Sequence, residues 1–304
     1  MTGSVTPARS DAFDFRCEPD RLQWRAGQVC SRRRLSRRYR PGAWHNGDRP
    51  LRLFKFLAAA AVAAGALTAS GDESGLAPDR PAAEFHFARL FYSDRRRYGF
   101  GGGFGGGSWR VDWPEAETHF RQGVSRLTRL DIGEQPRILS LSDDVIFDYP
   151  WLYAVEVGDW FLNEAETARL REYLLRGGFM MVDDFHGSAE WYGFTETLKQ
   201  VFPDRPILDI PADDEVLHVL YDLDQRSQIY GIRPLMMGMT YEYDGVDPHW
   251  RGIYDDNGRL MLAINHNMDL GDAWEHADDP RYPEPLTALA YRFAVNYVIY
   301  ALTH

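Results

Sequence analysis

One short acidic segment carries the residues best suited to chemistry in this sequence. Asp183, Asp184 and His186 stand almost side by side, and Glu190 follows four residues after the histidine. A carboxyl group beside an imidazole can work as a general acid–base pair, and a further carboxylate can assist it. Asp184, His186 and Glu190 are therefore candidate catalytic residues. The alternative is structural, because aspartate and serine at a helix start accept hydrogen bonds from free backbone N–H groups.

A second polar segment follows further along the chain. Asn265, Asn267 and Asp269 alternate, so at the end of a strand their side chains would share one face. Trp274 adds an aromatic ring that could stack on a sugar or a peptide, although such rings are more often simply buried. We expect a ligand-binding cleft lined by these residues: Asp183, Asp184, His186, Asn265, Asn267, Asp269 and Trp274.

The same segment offers ligands for a metal ion. Asp272, Glu275 and His276 are spaced i, i+3, i+4, so one helical turn would bring them together, with Asp269 just before them. Oxygen-rich clusters suit Ca²⁺, and a histidine would suit a transition metal. The segment lacks the spacing of an EF-hand loop or a His-Glu-x-x-His helix. The sequence therefore favours a rigid turn whose side chains bind backbone N–H groups, and it requires no cofactor.

Cysteine chemistry is excluded from most of the chain. Both cysteines, Cys17 and Cys30, lie in an N-terminal segment that we expect to be removed. The remainder has no cysteine nucleophile, and it lacks the strand–helix turn that presents a nucleophilic serine in hydrolases. These absences favour a non-catalytic binding or scaffold module over an enzyme. The alternative is a hydrolase-like enzyme that uses Asp184 and His186 as its acid–base pair.

Two irregular segments each have two interpretations. Gly101-x-Gly103-x-x-Gly106 matches a dinucleotide-binding pattern, but the next helix begins several residues later, which favours a flexible surface loop. Residues 228–250 contain three methionines and lack clear periodicity. They predict either a lid or partner-binding loop, or a variable surface loop.

Apolar runs bounded by turn residues predict buried strands at 137–141, 152–157 and 179–183. Helical patterns lie between and after these runs. This alternation predicts an α/β fold in which a mostly parallel sheet has helices on both faces. Ligands bind beyond the carboxyl ends of the strands in such sheets, so segments 183–187 and 267–269 should meet at one end of the sheet.

Three further patterns define elements of this fold. Asn163 and Glu166 match a capping box and predict the start of a helix. Asn257 and Gly258 predict the turn of a C-terminal β-hairpin. An apolar stripe over about 285–302 predicts a long C-terminal helix packed against the sheet.

The N-terminal part of the chain predicts export. Residues 1–52 form a basic head, and residues 53–70 hold a short apolar run followed by small residues, which is the pattern of a secretory signal. Residues 71–83 predict a linker, and residues 84–304 predict a single domain. The protein is thus expected in the periplasm or elsewhere outside the cytoplasm. The long head favours a true start near Pro50; a twin-arginine signal and an uncleaved membrane anchor are alternatives.

Charge separates the head from the rest of the chain. Residues 1–55 hold 13 basic and 5 acidic residues, whereas residues 56–304 hold 21 basic and 40 acidic ones. An acidic surface repels nucleic acid and anionic lipid. The expected partners are therefore a cell-envelope protein or a small ligand, with no nucleic acid, and with membrane contact only through an uncleaved signal segment.

Several motifs, in order, resemble a bacterial domain-of-unknown-function family over residues 84–304. The motifs are Ile146-Phe-Asp-Tyr-Pro-Trp-Leu152, Leu174-Leu-Arg-Gly-Gly-Phe179, Asp183-Asp-Phe-His-Gly187, Val201-Phe-Pro-Asp204 and Asn267-Met-Asp-Leu-Gly-Asp-Ala-Trp-Glu275. The resemblance implies a flavodoxin-like sheet similar to that of class I glutamine amidotransferases. It also implies an envelope protein, because members occur behind signal peptides or at the C-terminus of BatA-like membrane proteins. It carries over no catalytic residue.

Overall fold

The computed structural model describes residues 83–94, 108–224 and 226–304. The predicted basic head and signal segment, most of the linker, and the glycine-rich loop lie outside these residues. Nine strands are found among the described residues. Their bounds are β1 Ala88–Phe91, β2 Ser93–Asp94, β3 Arg137–Ser140, β4 Trp151–Val155, β5 Trp160–Phe161, β6 Phe179–Asp183, β7 Leu208–Asp209, β8 His249–Tyr254 and β9 Leu260–His266.

Seven of these strands form one sheet in the order β3-β1-β4-β6-β9-β8-β7. The pairs from β3 through β9 are parallel, whereas β8 pairs antiparallel with both β9 and β7. Strands β2 and β5 form a separate antiparallel pair. The predicted mostly parallel sheet and the C-terminal β-hairpin, formed by β8 and β9, are both confirmed.

The order in which successive strands are added to the sheet reverses at β1. Strand β3 lies on one side of β1, and β4, the next strand of the sheet, lies on the other side. Such a reversal leaves a crevice at the carboxyl ends of the two strands. Because β1, β4, β6 and β9 are parallel, their carboxyl ends share one edge, which we call the carboxyl edge.

Six α-helices are found among the described residues. Their bounds are α1 Glu115–Leu127, α2 Glu164–Leu175, α3 Gly187–Val201, α4 Ile232–Met236, α5 Leu270–Glu275 and α6 Glu284–Thr303. The long C-terminal helix α6 was predicted from its apolar stripe and is confirmed. No helix in the described part of the chain combines the length and apolar character needed to cross a membrane.

Helices cover both faces of the sheet, as predicted. Trp151, Tyr153 and Val155 of β4 pack in one core with side chains of α1, α5 and α6. Leu152 and Ala154 point the other way and pack in a second core with α2 and α3. Successive strand residues alternate between faces, so a strand covered on both sides is apolar throughout.

Local signals place most helix ends correctly. Asn163 accepts a hydrogen bond from Glu166 N at 3.0 Å, and the Glu166 side chain accepts one from Asn163 N at 2.9 Å, so the predicted capping box is present. One detail differs from the sequence prediction. The strand predicted as buried at 137–141 is β3, which lies at the edge of the sheet, so Ile138 is 43% exposed.

Candidate functional site

Five aspartates gather at the carboxyl edge, and we call them the acidic cluster: Asp112, Asp183, Asp184, Asp269 and Asp272. Each comes from a segment that the fold brings to this edge. Asp183 ends β6 and Asp184 follows it, whereas Asp269 caps α5 and Asp272 lies in its first turn. Asp112 belongs to the turn before α1.

The two polar segments predicted to meet do meet at this edge. Gly187 N donates to Asn267 Oδ1 at 2.8 Å. Asp184 N donates to the carbonyl oxygen of Met268 at 3.1 Å, and Asn267 N donates to that of Phe185 at 3.0 Å. The loops that follow β6 and β9 are thus joined by their backbones, as expected at neighbouring strand ends.

Asp183 is fully buried and caps a helix from a distant part of the chain. Its Oδ2 accepts hydrogen bonds from Leu270 N at 2.7 Å and Gly271 N at 3.1 Å, at the start of α5. The capping interpretation is therefore correct for Asp183, but the helix is α5 and not the following α3. Burial, followed by the charge of Asp184, raises the pKa of Asp183 well above its usual range despite these bonds.

Asp269 and Asp272 face each other across a gap beside α4. Asp269 Oδ1 accepts a hydrogen bond from Asp272 N at 2.7 Å, and Asp272 Oδ2 accepts one from Ile232 N at 2.7 Å. A Cβ atom at Gly231 would lie 2.6 Å from Asp269 Oδ2 and 2.7 Å from Asp272 Oδ2. Glycine at this position lets the backbone approach both carboxylates closely.

Asp112 completes the arrangement, although the sequence analysis missed it. One carboxylate oxygen each from Asp112, Asp269 and Asp272 lie within 4.8 Å of one another. Asp112 Oδ2 is buried and has no hydrogen-bond partner. A Cβ atom at Gly271 would collide with it. The one available signal was positional, because Asp112 lies in the connection between β1 and α1 at the predicted crevice.

Among the described residues, no lysine or arginine is bonded to the acidic cluster. Burial, followed by the neighbouring carboxylates, raises the pKa of Asp112, Asp184 and Asp269 well above their usual range. Arg89 opposes this rise for Asp112 and Asp184. However, Arg89 is already bound to Glu117 by an ion pair. The arrangement favours any ligand that brings positive charge.

The side chains of the two candidate acid–base residues lie close together. His186 Nε2 lies 3.2 Å from Asp184 Oδ1, and both side chains are buried. Glu190 Oε2 accepts a hydrogen bond from the backbone N of His186 at 2.6 Å. His186 Nδ1 is buried without a partner. Burial lowers the pKa of His186, so the imidazole is neutral at pH 7.

A second group of possible metal ligands lies on α5 and at its end. One ligand atom each from Asp272, Glu275 and His276 lie within 4.8 Å of one another, so the predicted helical turn does bring them together. His276 Nε2 is 3.6 Å from Asp272 Oδ1 and from Glu275 Oε2. Burial raises the pKa of Glu275. This group is more open to solvent than Asp184 and Asp269.

Two predicted cleft residues are core residues instead. Asn265 is fully buried, and its Oδ1 accepts a hydrogen bond from Tyr297 OH at 3.0 Å on α6. Trp274 is fully buried, with its ring centroid 4.7 Å from that of Phe120 and 5.4 Å from that of Tyr153. Neither side chain is available to a ligand in the cleft.

Unusual backbone conformations concentrate around the same edge. The non-glycine residues with positive φ among the described residues are Asp112, Glu156, Asp184, Tyr243 and Asn267. Asp112 and Asp184 belong to the acidic cluster. The neighbouring loops contribute the other three, and Glu156 N donates to the carbonyl oxygen of Asp184 at 3.0 Å. Such conformations cost of order 1 kcal/mol or more each and gather at functional sites in proteins.

The fold and the position of the acidic cluster define a doubly wound α/β protein with a polar site at the carboxyl ends of its strands. The chain belongs to the family DUF4159, a domain of unknown function, which matches residues 86–302. This agrees with the resemblance seen in the sequence to a family of unknown function. A comparison with curated proteins gave no match to the chain.

Proposed function

We propose that the protein is an exported, non-catalytic binding module of the cell envelope and that its ligand is a divalent cation. The observation that carries the proposal is the meeting of Asp112, Asp269 and Asp272, whose oxygens lie within 4.8 Å of one another. Asp112 Oδ2 is buried and has no hydrogen-bond partner. A cation there would satisfy this oxygen and would balance the negative charge.

The chemistry of the donor atoms favours a hard cation. All three donors are carboxylate oxygens, which suit Ca²⁺, Mg²⁺ or Mn²⁺ better than softer metals. The three carboxylates contact three different segments of the chain. Asp112 precedes α1, Asp269 caps α5, and Asp272 holds Ile232 at the start of α4. A bound cation would therefore tie three segments of the carboxyl edge together, which is a scaffolding role.

The cell-envelope location is supported by the N-terminal sequence and by the family resemblance. The basic head, apolar run and small residues of residues 1–70 have the pattern of a secretory signal. The resemblance to domains found behind signal peptides or at the C-terminus of BatA-like membrane proteins supports the same place in the cell. Expression in a bacterium and sequencing of the mature N-terminus tests the location; intact chain in the cytosol would contradict it.

A hydrolase-like enzyme is the second candidate, supported by the 3.2 Å contact between His186 and Asp184. We rank it lower for two reasons. Glu190 Oε2 accepts a hydrogen bond from the His186 backbone, and the side chain of Ser188, the nearest hydroxyl in the chain, is hydrogen-bonded to Asp244. The described residues show no nucleophile held against this pair.

Thermal unfolding of the full-length chain tests the cation. The protein is treated with EDTA, freed of chelator and titrated with Ca²⁺, Mg²⁺, Mn²⁺ or Zn²⁺. A hard cation should stabilise the fold by about 2.7 kcal/mol at a hundredfold excess over its Kd. Asp112→Asn should remove most of this gain. The matched control is Asp256→Asn, whose side chain is 88% exposed on the surface, and it should keep the gain.

Two outcomes would reject the cation proposal. The first is an unfolding midpoint that no cation raises in the wild-type protein. The second is a stabilisation of equal size in the wild type and in Asp112→Asn, which would move the site elsewhere.

A further inference from the structure

An exposed apolar surface lies beside the acidic cluster, and we call it the methionine face. Its members are Met236, Met237, Met239, Tyr243 and Val246, with exposed fractions of 59%, 62%, 40%, 70% and 54%. Single exposed apolar side chains are ordinary, but groups of them mark interaction surfaces. Five in eleven consecutive residues therefore need an explanation.

The backbone that presents this face is firmly held. Met239 N donates to the carbonyl oxygen of Pro234 at 2.9 Å, and Gly245 N donates to that of Glu242 at 2.8 Å. The Gln228 side chain donates to the carbonyl oxygen of Gly245 at 3.0 Å. These bonds fix the turns on both sides of Tyr243. The turns that carry these exposed side chains are therefore held by hydrogen bonds to their neighbours.

The face is also anchored directly to the candidate site. Asn267 Nδ2 donates to the carbonyl oxygen of Asp247 at 2.7 Å. Ser188 N donates to Asp244 Oδ1 at 2.8 Å, at the start of α3. At the other end of the segment, Asp272 accepts a hydrogen bond from Ile232 N. Rigid anchoring keeps the apolar side chains displayed to solvent, because the segment cannot fold them inward.

Negative charge surrounds the methionine face. Glu242, Asp244 and Asp247 lie between or next to its members, and Arg233 is the single basic residue of segment 231–247. The hydrogen bonds from Ser188 lower the pKa of Asp244, so its carboxylate is ionised at neutral pH. A partner for this surface needs an apolar side and basic residues flanking it.

We propose that the methionine face binds a basic amphipathic helix of a partner protein. Methionine side chains are flexible and polarizable, so they adapt to the apolar side of different helices. An amphipathic helix presents its apolar residues as one stripe, with charged residues beside it. The surrounding carboxylates select lysine and arginine at the flanks of that stripe. This activity is additional to cation binding and uses different side chains.

Fluorescence anisotropy with the full-length chain tests this proposal. The probe is a labelled amphipathic peptide of leucine and lysine, and its matched control has glutamate at every lysine position. In salt of about 0.15 M, where charges are screened beyond about 8 Å, the lysine peptide should bind about tenfold more tightly than the glutamate peptide. Measurements with EDTA-treated and with Ca²⁺-loaded protein separate this result from the outcome of the cation experiment.

Two sets of substitutions locate the binding surface. A variant with Met236→Ser, Met237→Ser and Met239→Ser should weaken binding by about tenfold or more. The control variant carries Leu127→Ser and Leu175→Ser, which lie on helix ends elsewhere and are 45% and 43% exposed. The control should keep the affinity of the wild type.

A charge variant tests the proposal even if the methionine variant does not fold. Glu242→Gln with Asp247→Asn keeps the methionines and should weaken binding of the lysine peptide alone. Equal affinity in this variant, or in a folded methionine variant, would overturn the proposal. So would equal binding of the two peptides. Self-association of the wild type that the methionine variant loses would assign the face to a second copy instead, and equivalent loss of binding to anionic lipid vesicles would assign it to a membrane.

Discussion

Arg89 and Glu117 form a buried ion pair next to the acidic cluster, and the two regions differ in how their buried negative charge is compensated. Both side chains of the pair are fully buried. Arg89 also donates to the carbonyl oxygens of Trp109 and Val111, each at 3.0 Å. In the acidic cluster, by contrast, the described residues offer several carboxylates and no bonded lysine or arginine. The first region contains its own cationic side chain, whereas the proposed metal ion would supply the positive charge in the second.

The two regions differ in their suitability for binding a cationic ligand. Arg89 and Glu117 compensate each other's charge, although Arg89 Nη2 and Glu117 Oε2 are buried without a hydrogen-bond partner. A buried oxygen without a partner costs free energy until something satisfies it. Asp112 Oδ2 is in this position. Among the described residues Asp112 has no bonded lysine or arginine, so we expect a cationic ligand to act at Asp112 and not at Glu117.

The largest effect is expected from breaking the ion pair between Arg89 and Glu117. Arg89→Met leaves Glu117 buried without its partner and should destabilise the fold by about 3–5 kcal/mol. Urea unfolding of the variant and of the double variant Arg89→Met, Glu117→Gln measures this cost. The double variant should recover part of it, because the uncompensated charge is gone. A single variant within about 1 kcal/mol of the wild type would show that the pair contributes little.

A smaller effect concerns the pH dependence of the metal-free protein. The folded state raises the pKa of Asp112, so it holds that proton more tightly than the unfolded chain does. The resulting stabilisation is complete below a pH of about 4 and is lost as the pH rises through the raised pKa. Asp112→Asn cannot lose a proton. Without metal, it should therefore gain stability relative to the wild type with rising pH, by about 1.4 kcal/mol for each unit of raised pKa.

Added cation should reverse this order at neutral pH, because the ionised Asp112 of the wild type then binds the metal. Chemical unfolding from pH 5 to pH 8, with and without Ca²⁺, measures both trends. Burial lowers the pKa of His186, so this residue contributes to the pH dependence of stability with the opposite sign in both proteins. Subtracting the unfolding free energy of one protein from that of the other removes this contribution. A metal-free Asp112→Asn variant that loses stability relative to the wild type as the pH rises would contradict the interpretation.

The smallest expected effect distinguishes the two groups of metal ligands. His276→Ala removes the histidine of the outer group, which is 25% exposed. It should leave the stabilisation by Ca²⁺ or Mg²⁺ unchanged, because Asp112, Asp269 and Asp272 remain. Thermal unfolding with each cation checks this. If Zn²⁺ stabilises most and His276→Ala abolishes the gain, the ion belongs to Asp272, Glu275 and His276.

The fold was largely predictable because its signals are local. The capping box at Asn163, the hairpin turn at Gly258 and the continuous apolar character of β4 and β6 each depend on neighbouring residues. The meeting of segments 183–187 and 267–269 followed from topology, because parallel strands place their carboxyl ends together. The spacing of Asp272 and His276 likewise predicted their approach correctly.

The composition of the site was less predictable because it depends on distant contacts. Asp112 lies close to Asp269 because of the path that the chain takes after β1. Sequence spacing could not predict this contact. Asn265 and Asn267 were expected on one face, but Asn267 has φ 62°, so the strand alternation ends before it. Trp274 is buried because α5 packs against α1, where Phe120 receives its ring. These are properties of tertiary packing and of single backbone angles.

The position of the C-terminal elements has a consequence for the timing of folding. Strand β9 lies inside the sheet, between β6 and β8, and Tyr300 OH accepts a hydrogen bond from Leu260 N at 2.9 Å. One of the two cores includes side chains of α6, so it stays open until α6 has been synthesised, because synthesis proceeds from the N-terminus. The segments before β9 cannot complete this core by themselves, so its apolar side chains stay exposed until β9 and α6 dock.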